Sequence, residues 1–188
     1  MNEMRKIISL KYEIKCNFYF LLKFFVFIRC INILNSKYIQ REIFNNVNEI
    51  RLKVNGSGSV KIINSNFNLL SKISLNGNII EKGSTISLTA PSNDVTLSFD
   101  SPITSCYSMF YGCNQITEID FTNFVSSEVN GIDSMFKDCT SLKSIKFGNF
   151  RTSKVSSMSE AFRNCESLEE LDLSSFNTTN ITHFFFIF

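Results

Sequence analysis

The chain has 188 residues, 44% of them hydrophobic, and a formal net charge of +2, which suits one domain plus a small appendage. The charge is unevenly spread: residues 1–37 carry seven Lys/Arg against two Glu, a balance of +5, leaving −3 for the rest. A body with no basic surplus argues against nucleic acid as a partner. At the N-terminus Arg5, Lys6, Lys11 and Lys15 precede the apolar run Phe18–Ile28. A basic region before an apolar core of this length predicts a secretory signal or membrane-targeting segment over 1–36. Lys23, Arg29 and Asn32 interrupt the run, so a spanning helix of ~20 apolar residues is not expected. The alternative for this segment is a buried helix or an over-extended start. Membrane contact, if any, belongs to this segment alone.

Residues 37–103 read as a β-rich cap module. Glu49–Val54 alternates apolar and polar residues, Asn55-Gly56-Ser57-Gly58 is turn-like, and Ser59–Ile63 follows, the pattern of a hairpin. Lys72–Leu75, Thr85–Leu88 and Val95–Phe99 are further strand candidates, separated by Asn76-Gly77, Lys82-Gly83 and Pro91–Asp94. Val95–Phe99 is expected to form the first rung under the repeats, pairing with Ile119–Phe121. A stack of repeats needs such a cap over its first apolar face, which is the structural alternative to an independent binding module.

Residues 104–188 say the same thing three times. Met109-Phe110-x-x-Cys113, Met135-Phe136-x-x-Cys139 and Ala161-Phe162-x-x-Cys165 recur every 26 residues. Between them run the columns Ile116/Leu142/Leu168, Ile119/Ile145/Leu171, Phe121/Phe147/Leu173, Phe124/Phe150/Phe176 and Val129/Val155/Ile181. A fixed period of this length predicts stacked repeats. Leu171 and Leu173 sit two apart on one face of a strand, with Glu170, Asp172 and Ser174 on the other. Val155–Cys165 has apolar residues at spacings of three and four, predicting a short helix. Ser157 with Glu160 forms a candidate capping box at its start. The column Gly112/Asp138/Asn164 tolerates a left-handed turn and reads as the helix stop. The expected fold is therefore an α/β repeat solenoid, strand plus short helix per 26-residue coil, with a mainly β cap.

The third copy, Phe162-Arg-Asn-Cys165-Glu-Ser167-Leu168-Glu-Glu-Leu171-Asp172-Leu173-Ser174-Ser-Phe176, resembles the BspA-like leucine-rich repeat proteins. Their repeat reads approximately M-F-x-x-C-x-S-L-x-x-L-D-L-S-x-F. Ser141-Leu142 and Arg151–Val155 repeat the pattern in the second copy, while Ala161, Lys146 and Gln115-Ile116 depart from it. The resemblance implies a secreted or cell-surface protein implicated in adhesion, with no active site in the repeat.

Candidate sites follow from strand parity. Glu118, Ser144 and Glu170 form one outward ladder, Asp120, Lys146 and Asp172 the next, and Thr122, Gly148 and Ser174 the third. This face is the expected surface for a protein or glycan partner, with Glu118, Asp120, Thr122, Ser144, Lys146, Glu170, Asp172 and Ser174 as its residues. The Asp-Lys-Asp order also relieves like-charge repulsion, a sufficient structural reason for it. Asp120 and Asp172 are two rungs apart, ~10 Å, near the upper limit for an inverting carboxylate pair. A glycan-processing enzyme using this acidic ladder is thus an alternative, though nothing near it tunes an acid.

Cys113, Cys139 and Cys165 share a column without metal-ligand spacing, so buried thiols are expected rather than zinc or disulfides. Phe124, Phe150 and Phe176 read as a core spine. His183 stands alone, and Gly56-x-Gly58 lacks the rest of a dinucleotide fingerprint. No catalytic residue, cofactor or metal is expected. Asn55, Asn177 and Asn180 begin glycosylation sequons.

Extending the register puts Ile187-Phe188 on the Met-Phe column and replaces Ser159 and Glu160 with Phe185 and Phe186. The last repeat reads as truncated. The open side of Leu168, Leu171, Leu173 and Phe176 should then promote self-association through the C-terminal end. A fragment of a longer surface protein, with no activity of its own, is the other alternative.

Overall fold

The computed structural model describes residues 48–67 and 69–188. The expected targeting segment and the first residues of the cap module lie outside the described residues. Eight strands are formed: β1 (Glu49–Asn55), β2 (Gly58–Lys61), β3 (Leu70–Leu75), β4 (Asn78–Ile80), β5 (Thr85–Leu88), β6 (Ser92–Phe99), β7 (Ile116–Asp120) and β8 (Ser144–Lys146). Six make one sheet in the order β4-β3-β6-β1-β7-β8, and β2 pairs with β5 in a second. Every pairing is antiparallel except β7 with β8. Strand alternation decides which face is wet. Ile50, Leu52 and Val54 of β1, Val95, Leu97 and Phe99 of β6, and Ile119 of β7 are buried, while Arg51, Lys53 and Glu118 between them are exposed.

The expected α/β architecture is overturned: the described residues contain no helix, and the sheet is mixed. The stretch read as helical is a ribbon of successive tight turns. In coil one, the amides of Met109, Tyr111 and Cys113 donate to the carbonyls three residues back. The alternate amides, those of Ser108, Phe110 and Gly112, donate instead to Asp133, Met135 and Lys137 of the next coil, at 2.9 Å each. Coil two repeats this onto coil three from Ser134, Phe136 and Asp138, at 2.8–2.9 Å. An α-helix consumes its interior amides within itself, so helices could not bond coil to coil as this ribbon does. Two left-handed residues per coil enforce the turns, Ser108/Ser134/Glu160 (φ 52 to 55°) and Gly112/Asp138/Asn164 (φ 58 to 67°). A right-handed helix cannot contain them. Left-handed geometry is present at the column expected for it, but it punctuates a turn ribbon and stops no helix. The capping box is absent too. The Ser157 hydroxyl bonds Asp133 of the preceding coil, and Glu160 bonds Lys137 and Arg163. Successive turns bury Cys106, Met109, Phe110 and Cys113 at the same three- and four-residue spacing that a helix would show.

The cap also departs from its expected pairing. β1 and β2 are not a hairpin: both edges of β1 are taken, by β6 and by β7, so β2 turns away to β5. Val95–Phe99 does not pair with Ile119–Phe121, because β1 lies between β6 and β7. A strand missed in sequence, β4, closes a true hairpin with β3 through Asn76-Gly77, whose φ values of 49° and 84° are those of a two-residue type I′ turn.

Residues of this module satisfy backbone groups that a preceding coil would otherwise meet. The Asn64 amide donates to the Met109 carbonyl (2.8 Å), and the Lys61 ammonium to the Tyr111 carbonyl (2.5 Å). Asn48 Oδ1 accepts from the Val125 amide (3.0 Å). One and two coils further on, that acceptor is the hydroxyl of Ser126 for Arg151 (2.6 Å) and of Thr152 for Asn177 (2.7 Å).

The core runs through the stack as columns of rings. Phe110, Phe136, Phe162 and Phe188 stack at centroid separations of 5.4–5.9 Å. Phe121 stacks on Phe147 at 5.8 Å, and Phe124, Phe150 and Phe176 at 5.8 and 6.0 Å. Edge-to-face contacts such as Phe121–Phe150 (5.3 Å) tie the columns together, a geometry that aromatic pairs favour.

Candidate functional site

The outward face of the sheet is built by β1, β7, β8 and the third coil. Register places Lys53 opposite Glu118 and Arg51 opposite Asp120. Glu118 then faces Ser144, and Asp120 faces Lys146. A parallel bridge carries Ser144 on to Glu170, and Asp172 follows two residues later. Two rows of side chains result, Lys53-Glu118-Ser144-Glu170 and Arg51-Asp120-Lys146-Asp172. Asp94 of β6 extends the first row beyond Lys53. A shallow groove of about 360 Å³ lies across Arg51, Lys53, Glu118, Asp120 and Lys146. Thr122 and Ser174 lie at the end of the rows, exposed, in the column of Gly148.

Charge alternates along the second row, and in the first Ser144 separates Glu118 from Glu170, so charged neighbours attract. Lys53 pairs with Asp94 at 2.5 Å and Lys146 with Asp120 at 3.6 Å. The hydrogen bond and the charge of Asp94 raise the Lys53 ammonium above its ordinary value. Partial burial pushes the Asp120 carboxyl up. The hydrogen bonds from Thr122, including its amide at 2.7 Å, and the Lys146 charge outweigh this and hold Asp120 below the usual range. Asp172 is lowered by its bonds from Ser174, whose amide donates at 2.9 Å. Both carboxylates are therefore ionised at neutral pH, and neither is poised to donate a proton. Among the described residues Arg51, Glu118, Glu170 and Asp172 make no ion pair.

The remaining candidates are scattered. Cys106, Cys113 and Cys139 are buried and Cys165 half-buried, all as free thiols. Burial raises all four, Cys113 to about 12 and Cys165 to about 11, so they are protonated and unreactive at neutral pH. The thiols of Cys139 and Cys165 donate to the carbonyls of Phe110 and Phe136, at 3.0 and 3.1 Å. Asn55, Asn177 and Asn180 are exposed. Asn177 Oδ1 accepts from the Thr179 amide (3.0 Å), and Asn180 Nδ2 donates to the Ser153 carbonyl (2.7 Å). His183 is exposed, its ring nitrogen 2.9 Å from the Thr182 hydroxyl. Among the described residues no group of three His, Cys, Asp or Glu could hold a metal ion. No helix there is long and apolar enough to cross a membrane.

Residues 104–188 match the family described as DUF285, Mycoplasma protein of unknown function. No curated protein and no solved structure matches the chain. The DUF285 stretch takes in all three coils and hence Glu118, Asp120, Lys146, Glu170 and Asp172, but not β1. Arg51, Lys53 and Asp94 complete the face from outside it. The outward parity of Arg51 and Lys53 is legible in Glu49–Val54, whereas Asp94 falls in the stretch read as a turn, Pro91–Asp94, and lies in β6 instead. The position of Arg51 and Lys53 beside β7 is not legible, because it depends on β1 entering between two elements distant in sequence.

Proposed function

We propose that the chain is a non-enzymatic surface or secreted repeat protein, and that it contacts a protein or glycan partner through the outward face of β1, β7, β8 and the third coil. The observation that carries this reading is the set of charges on that face, Arg51, Glu118, Glu170 and Asp172, which are exposed and have no ionic partner among the described residues. The 26-residue repeat's resemblance to BspA-like surface proteins supports the setting. The lowered carboxyls of Asp120 and Asp172 weigh against the glycan-processing alternative, which needs one carboxyl held protonated.

Charge reversal of Glu118 and Glu170 to Lys should reduce attachment of the tagged full chain to epithelial cell monolayers by at least about tenfold. Stability should change by less than about 1 kcal/mol, as for exposed sites generally. Undiminished attachment at unchanged stability would sink the reading. Separately, Phe184, Phe185, Phe186 and Phe188 are 60–75% exposed, and an apolar patch of this kind supports self-association of the 188-residue chain at that end.

A further inference from the structure

The two charged rows have a property that neither shows alone: they complement themselves. We infer that the partner of this face is a second copy of the chain, bound face to face about a twofold axis that runs parallel to the strands between β7 and β8. This rests on the reading that the strand face is the contact surface.

A twofold axis in that position maps each strand onto its mirror place in the row and leaves the rows themselves in register. β1 then faces the partner's third coil, and β7 faces the partner's β8. In the first row Lys53 meets Glu170 of the second copy, and Glu118 meets Ser144. In the second row Arg51 meets Asp172, and Asp120 meets Lys146. Every charged contact among these eight positions is attractive or falls on a hydroxyl, Asp94 of the first row falling past the third coil, and an isologous interface makes each of them twice. The other isologous arrangement, with the axis across the strands, keeps each strand on itself and exchanges the rows. It sets Arg51 on Lys53, Glu118 on Asp120 and Glu170 on Asp172, three like-charge contacts, with Lys146 on Ser144 as the fourth. The pattern therefore favours the axis along the strands over the axis across them, which like-charge contacts of this kind suppress.

The residues are available for this. Arg51, Glu118, Glu170 and Asp172 are exposed and have no ionic partner among the described residues. The side chains of Lys53 and Lys146 are 46% and 67% exposed despite their pairs. Across these eight positions the β1 end is basic and the third-coil end acidic, which the turned copy matches, Asp94 beyond β1 offsetting part of the Lys53 charge. Three strands and the third coil at ~4.8 Å spacing, with about three outward residues ~6.8 Å apart along each, give roughly 400 Å² per partner, about half of a standard stable interface. Each contact is thus weak and salt-sensitive, and gains strength where many copies are displayed together.

The test is sedimentation velocity of the full chain with two double variants, R51E/K53E and E170K/D172K. Wild type should associate with concentration, and raising salt from tens to hundreds of millimolar should weaken this about tenfold or more. Association through the apolar C-terminal end would not weaken with salt. Each double variant alone should lose the salt-sensitive association at least tenfold, because each sets like charges against each other. An equimolar mixture of the two should restore it, since every cross-pair between them is again opposite in sign. The neutral pair R51Q/K53Q, expected to lose association to a lesser degree, covers the case in which a reversal unfolds the chain. A variant that self-associates like wild type, or two folded variants that stay monomeric when mixed, overturns the inference. If those same variants still lose attachment to epithelial monolayers, the contact face stands and only the identity of its partner falls. If neither readout responds, both fall.

Discussion

Phe150 and Phe176 occupy the same column one coil apart, yet Phe150 is 2% exposed while Phe176 is only partly buried. The same holds for Leu142 against Leu168 and Cys139 against Cys165. Strand length follows the same gradient. β7, paired on both sides, has five residues, β8 has three, and the third coil adds to this sheet a single bridge, at Glu170. The columns are alike in chemistry, so the difference lies in neighbours. A segment covered on both sides becomes core, as Met158, Ala161 and Phe162 do beneath residues 183–188, whereas Leu168–Phe176 of the third coil rest mainly on one side. Stability in stacked repeats is chiefly a property of the contact between units.

Matched substitutions in the two coils test this directly. Truncating Phe150 to Ala should cost about 3–5 kcal/mol, the range for a fully buried ring. Phe176→Ala should cost less than half as much, by denaturant unfolding of both. Equal losses would mean that the third coil is covered in solution.

The next largest contrast is at the column Thr122/Gly148/Ser174. Gly148 has φ 57°, and a Cβ there would lie 2.9 Å from the Thr122 Cα. Gly148→Ala should therefore cost about 1–3 kcal/mol through overpacking, and more through its left-handed backbone. Ser174→Ala, exposed and on the third coil, should cost less than about 1 kcal/mol. A midpoint for Gly148→Ala equal to wild type would show that the two coils can separate there without cost.

Cys139→Ala should cost on the order of 1 kcal/mol and Cys165→Ala less, the removed group being smaller than a methyl-rich side chain. Thiol labelling should follow the same order. Cys165 should react before Cys106, Cys113 and Cys139, which should label only on unfolding. A disulfide-linked 139–165 pair, found by mass spectrometry of unreduced protein, would overturn the free-thiol arrangement.

The smallest effect is on pH. Asp120 and Asp172 have folded-state values below their unfolded ones. The stability they add is therefore present above the unfolded value of ~4 and lost as pH falls through the folded one. Asp120→Asn should flatten the acid limb of a stability–pH curve by less than about 1 kcal/mol, given its exposure. Asp172→Asn, held by Ser174 without a cation, should flatten it less. An acid limb unchanged by Asp120→Asn would remove its bonds with Thr122 and Lys146 from the account.

Legibility in the sequence divides along the same physical lines. The 26-residue register, the ring columns and the outward parity of Glu118, Asp120, Lys146, Glu170 and Asp172 could be read directly. They depend only on which side chains recur and on the two-residue period of a strand. The turn ribbon could not. Spacings of three and four among Cys106, Met109, Phe110 and Cys113 bury the same residues in a helix as in successive turns. The choice between them rests on amides that bond to the next coil, a partner 25 residues away. β1 was likewise legible as a strand, but not its place between β6 and β7. Two apolar strands of similar length offer equivalent edges. Only the bonding of Glu49–Asn55 to both neighbours at once decided that Arg51 and Lys53 would meet the acidic rows.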